Sequence, residues 1–311
     1  MKIVFLDSAT LGQDVSLEPI AALGELVCYE NTQADKVTER ISDCDVLIVN
    51  KIKLGKPQID AAPNLKLICE AATGVNNIDV DYAASRGIPV RNVAAYSTES
   101  VVQTTFMHLL TLMQGRGYYD SFAKDGRYSA SGCFTCMDIA FHELDGMRMG
   151  IIGLGTIGNR VARVAQAFGM KVCYYSTSGT NHSSDFPSLP LDELMACSDV
   201  VSVHAPLNPR TDGLVGYREL CLMKRSAYLL NMGRGGIVVE ADLARALDEG
   251  LLAGAGLDVF SAEPLPAGHP FLTMAHPERL SLTPHIAWAS VEARRRLVAG
   301  IAHNIASFCG K

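Results

Sequence analysis

Three segments of the sequence each end an apolar run on residues able to do acid–base or anion chemistry. "AYLLNMGRGG" carries Arg234, "AGAGLDVFSAEP" carries Asp258 and then Glu263, and "LSLTPHIAWAS" carries His285. A guanidinium holds a carboxylate through two hydrogen bonds and polarises a neighbouring carbonyl. An imidazole can give that carbonyl a proton while it is reduced, or remove the proton from the alcohol in reverse. A carboxylate beside an imidazole favours the imidazolium. Each residue alone also has a plainer reading: Arg234 as a surface ion pair, Glu263 as a residue before a turn-forming proline, His285 as a satisfied core histidine. Their order in the chain, behind a nucleotide-type loop, carries the inference.

That loop is Gly153-Leu154-Gly155-Thr156-Ile157-Gly158. It follows the strand pattern Met149–Ile152 and opens a helical pattern through Ile157, Val161, Val164 and Phe168. The first glycine permits a tight turn, the second lets the backbone approach a pyrophosphate, and the third lets helix and strand pack closely. The helix N-terminus offers unpaired N–H groups to the anion. The next strand is Lys171–Tyr175, and at its end an acid would bind the adenosine ribose hydroxyls. The chain has Ser176, Thr177 and Ser178 there, with no arginine or lysine before position 200. These neutral donors suit a hydroxyl or a phosphate, so NAD and NADP both stay open.

Elements that can position such groups are legible upstream and downstream. Strands are expected at Ile3–Leu6, Leu26–Tyr29, Val46–Val49 and Leu67–Glu70, with helical patterns between them, including Thr32–Ile41. This alternation argues for an α/β protein with parallel sheets covered by helices. Ser97 to Ser100, with Glu99, reads as the start of a long helix. Residues 125–147 read as a connecting segment, and Ser290–Phe308 as a terminal helix. Its Arg294, Arg295 and Arg296 read as a solvated face or a subunit contact.

Composition sets the outer limits. The 311 residues are 48% hydrophobic, enough for two domains with their own cores. A net charge of −6 without a basic block argues against nucleic acid. No apolar run approaches the roughly 20 residues that span a bilayer, and Met1–Asp7 reads as a first strand. Nine scattered cysteines fit small buried hydrophobes in a reducing cytoplasm. Cys133 and Cys136 form a C-x-x-C, but no second Cys/His pair at zinc spacing accompanies it, so no metal is expected.

With "GIIGLGTIG", "HAPLNPRTDGLV", "LLNMGRGGIVVEADLARALDEGLLAGAGLDVFSAEP" and "LTPHIAWAS" in view, the chain resembles the D-isomer-specific 2-hydroxyacid dehydrogenase family over essentially its whole length. The resemblance implies two doubly wound parallel-sheet domains with a cleft between them: residues 1–97 plus 286–311 for substrate, 98–285 for the dinucleotide. It implies Arg234 on the substrate, His285 as acid/base with Glu263 as its partner, and Asp258 on the nicotinamide carboxamide. Backbone N–H groups at Thr73, Gly74 and Val75 would hold the substrate carboxylate. Thr104, His204, Pro206 and Thr211 match cofactor-lining positions, with helix packing the alternative for Thr104. Trp288 lines the substrate pocket or packs at a hinge or interface.

The wording is most similar to glycerate dehydrogenase and hydroxypyruvate reductase members, and Glu263 speaks against a formate dehydrogenase. The expected reaction is reversible reduction of a small 2-keto acid by NAD(P)H, in a homodimer that closes over its substrate. D-lactate dehydrogenase, or a dinucleotide-sensing interaction protein of the same fold, is the alternative.

Overall fold

The computed structural model describes residues 1–180 and 182–310, and the chain divides into two compact units. The first comprises Met1–Ser97 and Trp288–Lys311, the second Thr98–Ala287.

In the first unit, strands β1 (Lys2–Phe5), β2 (Glu25–Cys28), β3 (Val46–Val49), β4 (Leu67–Glu70) and β5 (Val90–Arg91) form one sheet in the order β2-β1-β3-β4-β5. Every pairing is parallel. Alternation along the strands feeds two cores, as the two-residue period of a strand requires. Ile3, Phe5, Ile48 and Leu67 pack under the terminal helix Val291–Phe308 through Leu297, Ile301 and Ile305. Val4, Leu47, Val49 and Ile68 face Val37, Ile41 and Ile59 on the other side.

Two expectations change here. The helix expected over Thr32–Ile41 is α-helical only at Val37–Ile41, behind a 3-10 turn at Ala34–Lys36. Thr32 is buried and gives its hydroxyl to the Leu6 carbonyl, which holds it to the sheet end rather than in a helix. The arginine run is a solvated face only in part, with Arg295 and Arg296 exposed. Arg294, with 13% of its side chain exposed, pairs with Asp14 and donates to the Leu11 and Ala289 carbonyls. Arg296 donates to the Tyr96 carbonyl, so the run ties the terminal helix to its own unit.

The second unit holds β6 (Arg148–Ile152), β7 (Lys171–Tyr175), β8 (Val200–Val203), β9 (Tyr228–Asn231), β10 (Gly254–Leu257) and β11 (Leu280–Leu282). Their order is β11-β10-β9-β8-β6-β7, again all parallel. One face packs on Leu194, Leu220, Leu243 and Leu247. The other packs on Phe106 and Leu109 of helix Thr98–Met113, and on Val161 and Ala165 of helix Thr156–Ala167. Because all six strands run the same way, the loops after them lie along one edge. The strand order reverses between β6 and β8, where such sheets open a ligand crevice. Among the described residues no helix is long and apolar enough to cross a membrane.

Candidate active site

Read along that edge, the groups singled out in the sequence fall into a row: His285 beyond β11, Asp258 and Glu263 beyond β10, Arg234 beyond β9, His204 beyond β8, the glycine loop beyond β6 and Ser176 beyond β7. At one end, His285 Nδ1 lies 2.7 Å from Glu263 Oε2. Glu263 is itself held by the Phe260 N–H at 3.0 Å. His285 sits in the left-handed backbone region at φ 55°, a conformation that non-glycine residues adopt rarely and mostly at functional sites. With Nδ1–H engaged by the carboxylate, Nε2 is the nitrogen left for chemistry, and among the described residues it has no hydrogen-bond partner.

The strained turn is held by Asp258. This residue is 1% exposed, and its carboxylate accepts from Thr283 Oγ1 at 2.6 Å, from the Ile286 N–H at 2.8 Å and from the Ala287 N–H at 2.8 Å. Burial raises its carboxyl while these donors pull it back. Asp258 thus positions the His285 loop, Oδ1 accepting two of these bonds and Oδ2 one.

Behind it lies His108, which the sequence did not single out. Its ring nitrogens meet Ser281 Oγ at 2.8 Å and Thr283 Oγ1 at 2.9 Å, and burial pushes the imidazole down to about 4. A side chain in place of hydrogen at Gly256 would lie 2.7 Å from His108 Cβ, so the glycines of β10 make room for this support. Nothing in the local pattern of "FMHLL" marks the histidine, because its partners lie more than 170 residues away.

Arg234 follows β9 in a turn clamped by Asn231, which donates to the Arg234 carbonyl at 3.0 Å and accepts from the Gly233 N–H at 3.1 Å. A Cβ at Gly235 would lie 1.9 Å from Phe260, so this turn is pressed onto the loop that carries Glu263. Arg234 is half-buried, and among the described residues no carboxylate pairs with it. A half-buried cation without a counter-ion is an anion site in waiting.

The residues present fit a dinucleotide. Gly153 has φ 92°, and a Cβ there would lie 2.9 Å from the Ala205 backbone. At Gly158 a Cβ would lie 2.2 Å from the Gly153 carbonyl oxygen. Gly155 differs: nothing lies within 4 Å of its Cβ position, so its backbone faces open space where a pyrophosphate can approach. Thr156 is exposed at the helix start, and Ile157 and Thr104 are half-buried.

Ala205 also lies 2.9 Å, through its carbonyl oxygen, from the Cβ position of Gly233. One alanine thus separates the glycine loop from the Arg234 turn. Its neighbour His204 contacts Ser202 Oγ at 2.8 Å, while its buried Nδ1 has no partner among the described residues, and burial pushes the ring down to about 3. Pro206 is exposed. Thr211 is buried and closes its turn on the Pro206 carbonyl at 2.6 Å, a structural task.

At the far end the Ser176 hydroxyl is buried and has no partner among the described residues. Thr177 is half-buried and Ser178 exposed. The sequence showed no positive charge near this loop, and the structure corrects that: Arg210, from the loop after β8, donates to the Ser178 carbonyl at 3.1 Å.

In the first unit, Thr73, Gly74 and Val75 follow β4. Among the described residues their N–H groups donate to no protein acceptor. Trp288 packs edge-on against Tyr96, with centroids 6.2 Å apart. Cys133 and Cys136 are free thiols, and among the described residues no cluster of three His, Cys, Asp or Glu side chains could hold a metal.

Residues 106–287 match the family model for the D-isomer specific 2-hydroxyacid dehydrogenase, NAD binding domain. A hydroxypyruvate reductase of Blautia hydrogenotrophica is 37% identical over 99% of this chain and 97% of its own length. A glycerate dehydrogenase of Methylorubrum extorquens is 34% identical over 99% and 96%. The crystal structure of an NADPH-dependent glyoxylate/hydroxypyruvate reductase from Sinorhizobium meliloti, in complex with NADP and malonate, superposes with a TM-score of 0.85 at 31% identity, covering 100% of this chain and 94% of that one. The chain belongs to the D-isomer specific 2-hydroxyacid dehydrogenase family and is an NAD(P)-dependent oxidoreductase.

Proposed function

We propose that the chain reversibly reduces a short 2-keto acid of the hydroxypyruvate or glyoxylate type to the D-2-hydroxy acid. The observation that carries this reading is the half-exposed His285–Glu263 pair beside a half-buried Arg234, with neither His285 Nε2 nor the guanidinium paired to a carboxylate among the described residues. A nicotinamide dinucleotide held by the glycine loop would supply the hydride. Arg234 binds the substrate carboxylate and polarises the keto oxygen. His285 Nε2 gives that oxygen its proton, and Glu263 holds the ring in the tautomer that presents this nitrogen and offsets its charge. Thr73, Gly74 and Val75 supply backbone N–H groups to the carboxylate, a role supported by their unused donors. Trp288 limits the length of the substrate side chain.

The names of the relatives favour hydroxypyruvate and glyoxylate over pyruvate. Initial rates with NADH and with NADPH on hydroxypyruvate, glyoxylate, pyruvate and a bulkier 2-keto acid test the reading. One of the first two should give the highest kcat/KM. A clear preference for pyruvate would make the chain a lactate dehydrogenase, and no turnover of any of the four would sink the proposal.

We further infer a cytoplasmic homodimer. Nine free thiols support the compartment. The 125–147 segment exposes Phe134 at 89%, Met137 at 83% and Phe141 at 56%, a run of apolar side chains that a second copy would cover. A monomeric sedimentation coefficient at micromolar concentration would contradict the dimer.

A further inference from the structure

The loop after β7 should recognise the adenosine ribose of the cofactor, and its chemistry is unusual in two respects. No acid stands at the strand end, where a carboxylate would accept from both ribose hydroxyls and repel a 2′-phosphate. A guanidinium from another loop is delivered to it: Arg210 Nη1 donates to the Ser178 carbonyl at 3.1 Å. The anchoring of Arg210 is local and firm, since its own N–H donates to Asn208 Oδ1 at 2.9 Å, and Asn208 in turn is bonded through its N–H to the buried Thr211 hydroxyl at 2.9 Å. Among the described residues no carboxylate pairs with Arg210, so the charge is available to a ligand.

The third observation is the Ser176 hydroxyl, buried and without a partner among the described residues. Ser176 directly follows Tyr175, whose carbonyl accepts from the Gly153 N–H at 3.0 Å. The orphan hydroxyl therefore sits at the strand end that is bonded to the first glycine of the pyrophosphate loop. Orphaned buried hydroxyls are uncommon, and a ligand oxygen is one way to satisfy them. Ser178 and Thr180 add hydroxyls 2.8 Å from each other on the same loop.

A neutral, hydroxyl-rich loop, a missing acid and an unpaired guanidinium together make a phosphate site. We infer that the chain prefers NADP(H) to NAD(H), with Arg210 and the hydroxyls of Ser176, Thr177 and Ser178 holding the 2′-phosphate. Arg210 supplies a charge-assisted hydrogen bond that an unphosphorylated ribose cannot reciprocate. This rests on the dinucleotide site and is independent of which keto acid is reduced.

Equilibrium binding measures it without turnover: fluorescence or calorimetric titration of NADPH and NADH into the wild type, Arg210→Gln and Ser176→Asp. The wild type should bind NADPH at least about tenfold tighter than NADH, the span of a hydrogen bond to a charged group. Arg210→Gln should weaken NADPH by roughly tenfold to a hundredfold and leave NADH within about twofold. Ser176→Asp should reverse the preference. NADPH binding should also fall more steeply with salt than NADH binding, because it carries the extra charge pair. Arg210 is exposed, so its variant should melt with the wild type.

Equal affinity for the two cofactors in the wild type, or an equal loss of both in Arg210→Gln, would overturn the assignment. Binding of neither cofactor would overturn it together with the dinucleotide site. Failure to reduce any 2-keto acid while NADPH still bound selectively would leave it standing and fault the substrate reading alone.

Discussion

Two of the histidine–glutamate pairs in the second unit have nearly equal geometry, one at 2.7 Å between His285 and Glu263 and one at 2.8 Å between His269 and Glu240. They differ in everything around the contact. In the first, the side chains are 22% and 32% exposed, and in the second both are 7% exposed. His269 uses both ring nitrogens: Nδ1 accepts from the Phe271 N–H at 3.3 Å, so Nε2–H faces Glu240. Glu240 also takes the Ser261 N–H at 2.6 Å and the Ser261 hydroxyl at 2.7 Å, and Phe260 and Phe271 flank the ring. His285 keeps a nitrogen unused on a strained backbone. The lesson is that a His–Glu contact is not a signature of catalysis. A free valence, access to solvent and a strained position separate the working pair from the one that pins the loop carrying Glu263.

If the difference is real, the two pairs must fail in different ways. His285→Gln should lower turnover by roughly a hundredfold to ten-thousandfold, the usual share of a positioned acid/base, with cofactor affinity and melting nearly unchanged. Stopped-flow turnover and cofactor titration would read this, and surviving activity would remove His285 from its role. Glu240→Ala should do the reverse. Removing Glu240 leaves three donors, the Ser261 N–H, the Ser261 hydroxyl and His269 Nε2–H, without their acceptor, at about 1–3 kcal/mol of stability for each left unsatisfied, read as a lower denaturation midpoint, while turnover per folded molecule changes far less than in His285→Gln. An Ala variant at Glu240 as stable as the wild type but inactive would erase the contrast.

A buried acid without a histidine extends the comparison at smaller effect. Glu70, fully buried at the end of β4, has one oxygen without a partner among the described residues and the other on Asn77 Nδ2 at 3.0 Å. Burial pushes its carboxyl up to about 8; Asp7 nearby raises it further, and Asn77 and Lys51 oppose. The folded state therefore holds a proton that the unfolded chain releases above its ordinary value near 4.5. Stability is full below that value and falls as pH rises toward 8, by up to about 1.4 kcal/mol per pH unit. Melting curves of Glu70→Gln should lose that slope across pH 5–8. An unchanged slope would mean that Glu70 is ionised in the fold.

Much of this was legible in the sequence because it is local. The glycine loop, the strand before it and the helix after it lie within 20 residues, and of the three glycines Gly158 meets its near neighbour Gly153 while Gly155 faces open space; only the approach of Gly153 to Ala205 is distant in the chain. Arg234, Glu263 and His285 were legible as strand-end residues of fitting chemistry, and the structure brings Glu263 and His285 into contact. What stayed hidden is non-local. His108 supports Thr283 from a helix far upstream, Arg210 reaches the loop after β7 from the loop after β8, and Asp258 turns inward to hold the His285 loop. No period or spacing encodes those pairings. The same limit applied to Thr32, whose helical context lost to one hydrogen bond with a distant carbonyl.

The row of loops along the second sheet has a consequence of its own. Adjacent strands lie about 4.8 Å apart, so the five steps from β11 to β7 separate the acid–base end from the ribose end by roughly 24 Å. The edge is thus a ruler with independent ends. Groups this far apart, with no shared partner, contribute additively. Which cofactor is chosen and which acid is reduced can then drift separately under selection, and one can be re-engineered without retuning the other. Ala205, whose backbone lies against both glycine turns at mid-scale, is where the two halves come closest to sharing a part.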